Sequence, residues 1–117
     1  MTEWKPVKDY EGIYEVSSDG KVRSLDRLDS IGRRRAGRVR KTFIVGDGYE
    51  QVYLNKDGVS TGLYVHRLVA TAFIDNAEDK REVNHINREK LDNRVENLEW
   101  VTAKENQRHW RDLRKAA

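Results

Sequence analysis

Residues 83–102 of this 117-residue chain read VNHINREKLDNRVENLEWVT. His85 is followed by Asn93, Asn97 and Asn106 at separations of 8, 12 and 21 residues. The surrounding residues predict a strand, a turn-rich loop, a second strand and a helix. These are Glu82–Ile86 (extended), 87–93 (turns), Leu98–Val101 (extended), and a helix from Thr102 to about Lys115 that begins with a Thr102/Glu105 capping box. The order places the histidine at the end of one strand, opposite asparagines from the returning strand and the helix.

Histidine and asparagine in this arrangement suit the hydrolysis of a phosphodiester. That reaction needs a base for water, a divalent ion on the phosphate and a group that orients the base. The pKa of histidine lies near neutrality, so His85 can serve as the base. An amide oxygen can fix the tautomer of an imidazole or bind a hard ion such as Mg²⁺. We therefore predict a small polar site around His85.

The upstream sequence predicts one helix and several hairpins. Apolar residues recur at helical spacing from Val65 to Phe73, which indicates a short buried helix. Earlier segments alternate apolar and polar residues between turn signals, as antiparallel strands do. The expected strands are Gly12–Val16 paired with Val22–Leu25, Arg38–Val45 paired with Tyr49–Leu54, and Ser60–Tyr64. The expected fold class is α+β, with a β-hairpin-rich region at residues 1–60 and a second region at residues 61–117.

Charge is concentrated in one segment. Residues 27–41, RLDSIGRRRAGRVRK, contain seven basic residues and one acidic residue, so they carry +6 in a chain of net charge +3. The rest of the chain is therefore net acidic, at −3. A cationic block of this kind is typical of a segment that meets a polyanion. The alternative interpretation of the block is a solvated, mobile loop.

Composition excludes several classes of protein. The chain has no cysteine, which excludes disulfide bonds and thiolate metal sites and suits a reducing compartment. No stretch approaches the roughly 18 consecutive apolar residues of a membrane span, and the polar N-terminus lacks the apolar core of a secretory signal. We therefore expect a soluble protein of the cytoplasm, without a membrane partner.

Two stretches resemble parts of known phage proteins. The first stretch resembles the HNH homing-endonuclease family, also called ββα-metal or His-Me finger nucleases. It consists of VHRLVATAFI (65–74), residues 83–102 and the overlapping TAKEN (102–106). Separately, residues 4–25, WKPVKDYEGIYEVSSDGKVRSL, resemble the nuclease-associated modular DNA-binding motif often found ahead of phage HNH nucleases. The resemblance implies a DNA-binding region followed by a ββα-metal nuclease core.

The resemblance also implies roles for individual residues. His85 would be the general base, and Asn97 would hold and orient its imidazole. Asn84 and Asn106 would bind Mg²⁺, for which Mn²⁺ can substitute, while Asn93 would brace the loop between the strands. The implied reaction is attack of water on a DNA phosphodiester, with the ion stabilising the 3′ leaving oxygen and the products carrying 5′-phosphate and 3′-hydroxyl ends.

Double-stranded DNA is the partner that the resemblance gives to the basic segment. The residues expected to contact it, mainly at phosphates, are Arg33, Arg34, Arg35, Arg38, Arg40, Lys41, Arg23 and Lys21. A monomer carries one site and is expected to nick one strand, whereas double-strand cleavage would need a homodimer or two successive nicks. The expected location is the cytoplasm of a bacterial host cell.

Two departures from the family pattern bear on activity. Asn84 stands where aspartate is common, so both expected ligands are neutral and the DNA phosphate would supply most of the charge on the ion. Asn87-Arg88 stands where Asp-Gly is common, although asparagine tolerates the left-handed conformation of such a turn. The neutral Asn84 also supports an alternative interpretation, in which the chain is an HNH-fold DNA-binding protein with weak or no cleavage. A structured-RNA binder or RNA nuclease is a further alternative.

Overall fold

A computed structural model describes residues 2–116 of the chain, with side chains described for residues 2–111; Met1 and Ala117 lie outside this range. Within it, short strands precede and follow a first helix, and a second helix follows the last strand. The strands are β1 (Trp4–Pro6), β2 (Tyr14–Ser17), β3 (Val22–Ser24), β4 (Arg27–Leu28), β5 (Arg34–Arg35), β6 (Thr42–Ile44), β7 (Glu50–Lys56), β8 (Val59–Tyr64), β9 (Glu82–His85) and β10 (Leu98–Val101). The helices are α1 (Val65–Phe73), a 3₁₀ turn (Val95–Asn97) and α2 (Ala103–Ala116).

All strand pairs are antiparallel within the described residues. The pairings form the sheets β1-β2-β3, β4-β5, β6-β7-β8 and β9-β10. The hairpins predicted from alternation are confirmed, with the first strand of the second hairpin shortened to β6. Helix α1 has the predicted bounds. The capping box of α2 is also confirmed, because Thr102 N donates to Glu105 Oε1 at 2.9 Å and Glu105 N donates to Thr102 Oγ1 at 3.1 Å.

One hydrophobic core joins the N-terminal strands to the C-terminal elements. It contains side chains from the first sheet, from β7, from α1 and from the β9–β10 hairpin. Its buried members are Val7, Tyr14, Val16, Val22, Val52, Leu54, Val65, Val69, Ala70, Val83 and Leu98. The boundary expected after residue 60 falls inside β8, which pairs with β7 along its whole length. The two regions therefore share their packing.

The basic segment contains a short hairpin arm, defined here as residues 26–37. In it, β4 pairs with β5, and Asp29 Oδ1 accepts hydrogen bonds from the backbone N–H groups of residues 31 and 33. At its base, Asp26 Oδ1 accepts from Gly37 N at 2.6 Å. A Cβ atom on Gly37 would clash with the backbone oxygen of Ser24, so this close approach requires glycine. Local side-chain-to-backbone bonds therefore order a segment that has no apolar pattern.

The described chain is elongated, with extents of 58 × 30 × 29 Å. No helix within residues 2–116 is long and apolar enough to cross a lipid bilayer.

Candidate active site

The β9–β10 hairpin lies between the two helices and presents a different face to each. Adjacent side chains of a strand point to opposite faces, so His85 and Asn84 diverge. His85 faces α1, where its ring centroid lies 5.0 Å from that of His66. Asn84 shares its face with Glu82, whose Oε1 accepts a hydrogen bond from Asn106 of α2 at 2.9 Å. The end of β9 therefore carries an imidazole on one face and an amide on the other.

Asn93 contacts the imidazole of His85. Its Oδ1 lies 2.7 Å from His85 Nε2, and its Nδ2 donates to Glu50 Oε1 at 2.9 Å. A carboxylate only accepts hydrogen bonds, so the amide nitrogen faces Glu50 and the amide oxygen faces the histidine. His85 Nε2 is then the donor, and Nδ1 is the nitrogen with a free lone pair.

The structure places Asn93, and not Asn97, in contact with the His85 imidazole. Asn97 Oδ1 accepts from Asn87 N at 3.0 Å, and its Nδ2 donates to Asn87 Oδ1 and Asp92 O, each at 2.9 Å. The assignment of Asn97 as the residue that orients His85 is therefore wrong. Asn97 is the last residue of the 3₁₀ turn, and both polar atoms of its amide bond to residues of the loop between β9 and β10. Asn97 therefore bonds to the loop between β9 and β10, and Asn93 bonds to the imidazole.

The side-chain amides of Asn84 and Asn106 each combine a hydrogen-bonded nitrogen with an unpaired oxygen among the described residues. Their Nδ2 atoms donate to Glu99 Oε1 and Glu82 Oε1, each at 2.9 Å. Their Oδ1 atoms are buried and have no hydrogen-bond partner among the described residues. Asn106 bonds to Glu82, which shares a strand face with Asn84, so the two amides lie on the same face of β9. Because nearly all buried polar atoms in proteins are paired, their oxygens are candidate acceptors for a ligand.

These two oxygens fit the divalent ion implied by the sequence. Amide oxygens are suitable ligands for Mg²⁺ or Mn²⁺. Among the described side chains, those of residues 2–111, no group of three or more His, Cys, Asp or Glu is placed to hold a metal. The expectation of a site without protein charge needs correction, because a carboxylate lies one hydrogen bond behind each amide, Glu99 behind Asn84 and Glu82 behind Asn106.

Burial favours the neutral forms of His85 and His66. It lowers the pKa of His85 below its usual range, against an opposing effect of the hydrogen bond with Asn93. Burial, with a smaller effect of neighbouring His85, lowers the pKa of His66 to about 3. Tyr49 lies beside both rings, with centroid distances of 5.0 Å to His66 and 5.6 Å to His85. Both imidazoles are therefore neutral at pH 7.

The turn after β9 differs from the expectation. Arg88, and not Asn87, has the left-handed backbone, with φ of 67°. A bulky side chain is strained in this region, which glycine adopts freely. Arg88 N donates to His85 O at 2.9 Å, so the strained residue closes the turn directly behind the histidine.

The residues expected to contact DNA differ in their exposure and in the ion pairs they form. Arg33, Arg34 and Arg35 lie on the hairpin arm with side chains 72%, 76% and 65% exposed. They pair with two aspartates, Arg34 with Asp26 and the others with Asp29. Exposed ion pairs of this kind contribute little to stability, so exchanging them for phosphate contacts costs little.

The remaining basic residues lie in the first sheet and in the segment between β5 and β6. Lys21, Arg38 and Lys41 are exposed. A groove of about 860 Å³ beneath the arm is lined by four arginines, among other residues: Arg27, Arg35, Arg38 and Arg40. Arg23 is different, because it donates to Glu15 Oε1 at 2.7 Å and lies 4.0 Å from the ring of Trp4. A phosphate contact by Arg23 requires sharing or breaking that ion pair.

The glutamates of the site were not predicted from the sequence. Glu82 and Asn84 are two residues apart on a predicted strand, and Glu99 is the register partner of Asn84, so strand alternation contained a signal for both. Glu50 lies 43 residues before Asn93 and has no local signal.

Comparison with known proteins identifies two families along the chain. Residues 3–55 match the family model of the NUMOD4 motif, and residues 63–108 match that of the HNH endonuclease. The chain is similar to a solved structure described as DNA binding and cleavage by the HNH homing endonuclease I-HmuI. The TM-score is 0.79 at 37% identity, over 94% of this chain and 58% of that chain.

Curated relatives come from phages, prophages and a giant virus. DNA endonuclease I-HmuI of Bacillus phage SP01 is 39% identical over 89% of this chain and 55% of the relative. Uncharacterized HNH endonuclease L247 of Acanthamoeba polyphaga mimivirus is 42% identical over 91% and 25%. An SPbeta prophage-derived putative HNH homing endonuclease, YosQ of Bacillus subtilis, is 48% identical over 60% and 41%. The chain thus spans about half or less of the length of these relatives. The comparisons confirm the resemblance and the expected α+β fold class.

Proposed function

Since the chain belongs to the HNH endonuclease family, with a NUMOD4 motif ahead of its HNH segment, we propose that it is a metal-dependent endonuclease that hydrolyses phosphodiester bonds of double-stranded DNA. One observation carries the proposal: a neutral imidazole with an oriented Nε2–H lies next in sequence to a buried amide oxygen that has no partner among the described residues. The similar protein I-HmuI is described as binding and cleaving DNA.

His85 is the proposed base. With Nε2 donating to Asn93, Nδ1 takes the proton from the water that attacks phosphorus. The lowered pKa of His85, caused by burial, keeps the ring in the unprotonated form that this step needs. Asn93 holds the ring in the productive tautomer, and Asn97 keeps the supporting loop in place through Asn87 and Asp92.

Asn84 and Asn106 are the proposed metal ligands. Their carboxylate partners, Glu99 and Glu82, fix each amide so that its oxygen faces away from the glutamate. A bound Mg²⁺ or Mn²⁺ supplies Lewis-acid stabilisation of the phosphate charge and of the 3′ leaving oxygen. The two glutamates add negative charge behind neutral ligands, and the DNA phosphate adds more, so metal and DNA are expected to bind cooperatively.

The hairpin arm and the arginine-lined groove beneath it are the proposed DNA-binding surface. The exposed arginines contact mainly phosphates and position the duplex. A monomer has one His85 and is expected to nick one strand, in the cytoplasm of a bacterial host cell.

The test is conversion of supercoiled plasmid to nicked circles with Mg²⁺ or Mn²⁺. We expect wild type to nick, and His85→Ala to lose activity by roughly 10²–10⁴-fold while it still binds DNA in a mobility-shift assay. Asn55→Ala, which alters an exposed asparagine of β7, is the control and should match wild type. Equal conversion by wild type and His85→Ala would refute the assignment of the base.

A DNA-binding protein without cleavage is the alternative. Two observations favour it: Asn84 is neutral where aspartate is common, and His85 is only 2% exposed in the free chain. Tight duplex binding without conversion of plasmid by wild type would establish this alternative. Preference for structured RNA over duplex DNA in a binding competition would overturn the proposed substrate.

A further inference from the structure

Glu50 connects the NUMOD4 segment to the histidine of the HNH segment. It begins β7, and its Oε1 accepts from Asn93 Nδ2 at 2.9 Å, while Asn93 Oδ1 lies 2.7 Å from His85 Nε2. We propose that Glu50 is a positioning residue: acting through Asn93, it determines which nitrogen of His85 carries the proton. This inference depends on the proposed function in one respect, because only the proposed function gives that tautomer a catalytic use.

The amide of Asn93 could face its neighbours in either of two orientations, because its oxygen and nitrogen are similar in size. Asn93 is 3% exposed and His85 is 2% exposed, so water does not freely replace either partner. Reversal would point the amide oxygen at the carboxylate of Glu50 and place two acceptors together. Glu50 therefore selects the orientation in which the imidazole must donate from Nε2.

Glu50 is itself held in place by the β6–β7 hairpin. Thr42 Oγ1 donates to Glu50 Oε2, so both carboxylate oxygens are engaged. The N-terminal segment also holds the backbone of the loop that carries Asn93, because Val95 N donates to Ser18 O at 2.9 Å. Gly20 packs against Asn93, where a Cβ would lie 3.0 Å from Asn93 Cβ. The N-terminal segment thus fixes both the position of Asn93 and the direction of its amide.

The experiment is long-range ¹⁵N–¹H NMR of histidine-labelled, metal-free protein at a pH where His85 is neutral. We expect wild-type His85 as the Nε2–H tautomer. Glu50→Gln should retain it, because a glutamine oxygen can still accept from Asn93. Glu50→Lys presents only donors, so it should reverse the amide and move the proton to Nδ1. Glu50→Ala should give a mixture, and Glu78→Gln, an exposed control of equal charge change, should resemble wild type.

Plasmid cleavage separates this inference from the proposed function. Glu50→Ala should lower kcat by roughly 10–100-fold with little change in KM, and Glu50→Gln should recover most of it. A wild-type Nδ1–H tautomer, or an unchanged tautomer in folded Glu50→Lys and Glu50→Ala, would overturn the role of Glu50. The wild-type spectrum tests this role even if a variant does not fold. Tautomers that respond as expected in a protein that cuts no DNA would support the positioning role and refute the nuclease.

Discussion

At the scale of single residues, the site is built from asparagines that are each held by a glutamate. Glu50 accepts from Asn93, Glu99 from Asn84 and Glu82 from Asn106. An asparagine alone has two orientations, and a carboxylate partner leaves one. The arrangement turns three ordinary amides into oxygen acceptors of fixed direction. It also means that a substitution at any of these asparagines changes the environment of a carboxylate.

Asn84→Asp is expected to have opposite effects on folding and on metal binding. In the metal-free protein it replaces a donor to Glu99 by a second carboxylate, which should lower the free energy of unfolding by about 1–3 kcal/mol. A divalent ion relieves this repulsion and gains a charged ligand, so its affinity should rise by roughly 10-fold or more. Chemical denaturation with EDTA, and calorimetry of Mn²⁺ binding to the DNA complex, measure the two effects.

Two further variants make that measurement decisive. A His85→Ala background prevents cleavage of the DNA during calorimetry. In Asn84→Asp/Glu99→Gln, a glutamine amide can donate to the new aspartate, so most of the lost stability should return. Unchanged Mn²⁺ affinity in Asn84→Asp would remove Asn84 from the set of ligands.

At the scale of secondary-structure elements, α1 keeps an ionisable group where its charged form is disfavoured. His66 is the second residue of α1 and is 7% exposed. The first turn has no acidic residue, and Tyr64 makes no side-chain cap hydrogen bond. The positive end of the helix dipole therefore adds to burial in opposing protonation.

This environment predicts a loss of stability in mild acid. The pKa of His66 is lowered to about 3 in the folded chain, against about 6.5 for an unfolded histidine. The unfolded state therefore binds the extra proton below pH 6.5, and stability falls as the pH drops from about 6.5 toward 3, by up to about 1.4 kcal/mol per pH unit.

His66→Phe isolates the contribution of that residue. It keeps an aromatic ring and removes the titrating group, so the slope of unfolding free energy against pH between pH 6 and 4 should decrease by about that amount. Urea denaturation at pH 7, 6, 5 and 4 measures the slope. His85, whose pKa burial also lowers, should leave a residual slope of the same sign. A slope identical to wild type would contradict the prediction.

The same elements show which parts of the fold the sequence could predict. The α1 bounds follow from helical periodicity, and the start of α2 follows from a local capping box. β4 and β5 were missed because each has two residues and their hairpin depends on aspartate-to-backbone bonds rather than on alternation. The roles expected of His85, Asn84 and Asn106 follow from the resemblance to HNH nucleases, whereas the spacing of His85 and its asparagines predicts only a polar site. The choice of Asn93 over Asn97 depends on Glu50, a partner distant in sequence.

At the scale of the whole molecule, the proposed DNA-binding surface and the proposed active site lie on elements that are joined by one hydrophobic core. The cationic arm belongs to the segment that also supplies Glu50 to the site. The described chain extends 58 Å, the length of about 17 base pairs at 3.4 Å each. A surface of this length is sufficient for several phosphate contacts away from the cleaved bond.

Neutralising the arm should change the salt dependence of DNA binding. In a variant with Arg33, Arg34 and Arg35 replaced by Gln, each lost phosphate contact should reduce the slope of log K against log salt by about one unit. Fluorescence anisotropy with a labelled duplex at several salt concentrations measures this slope. The loss should be similar for unrelated duplex sequences, because phosphate contacts carry no sequence information directly.

A matched triple variant distinguishes local contacts from net charge. Replacing Lys5, Lys8 and Lys56 by Gln removes the same number of positive charges from positions outside the arm. If the arm contacts phosphates, the arginine variant should lose up to about three units of slope and the lysine variant less than one. Equal slopes in the two variants would mean that the arm acts only through the overall charge. An unchanged slope in the arginine variant would mean that, in the wild-type complex, these arginines stay paired with Asp26 and Asp29 and do not contact phosphates.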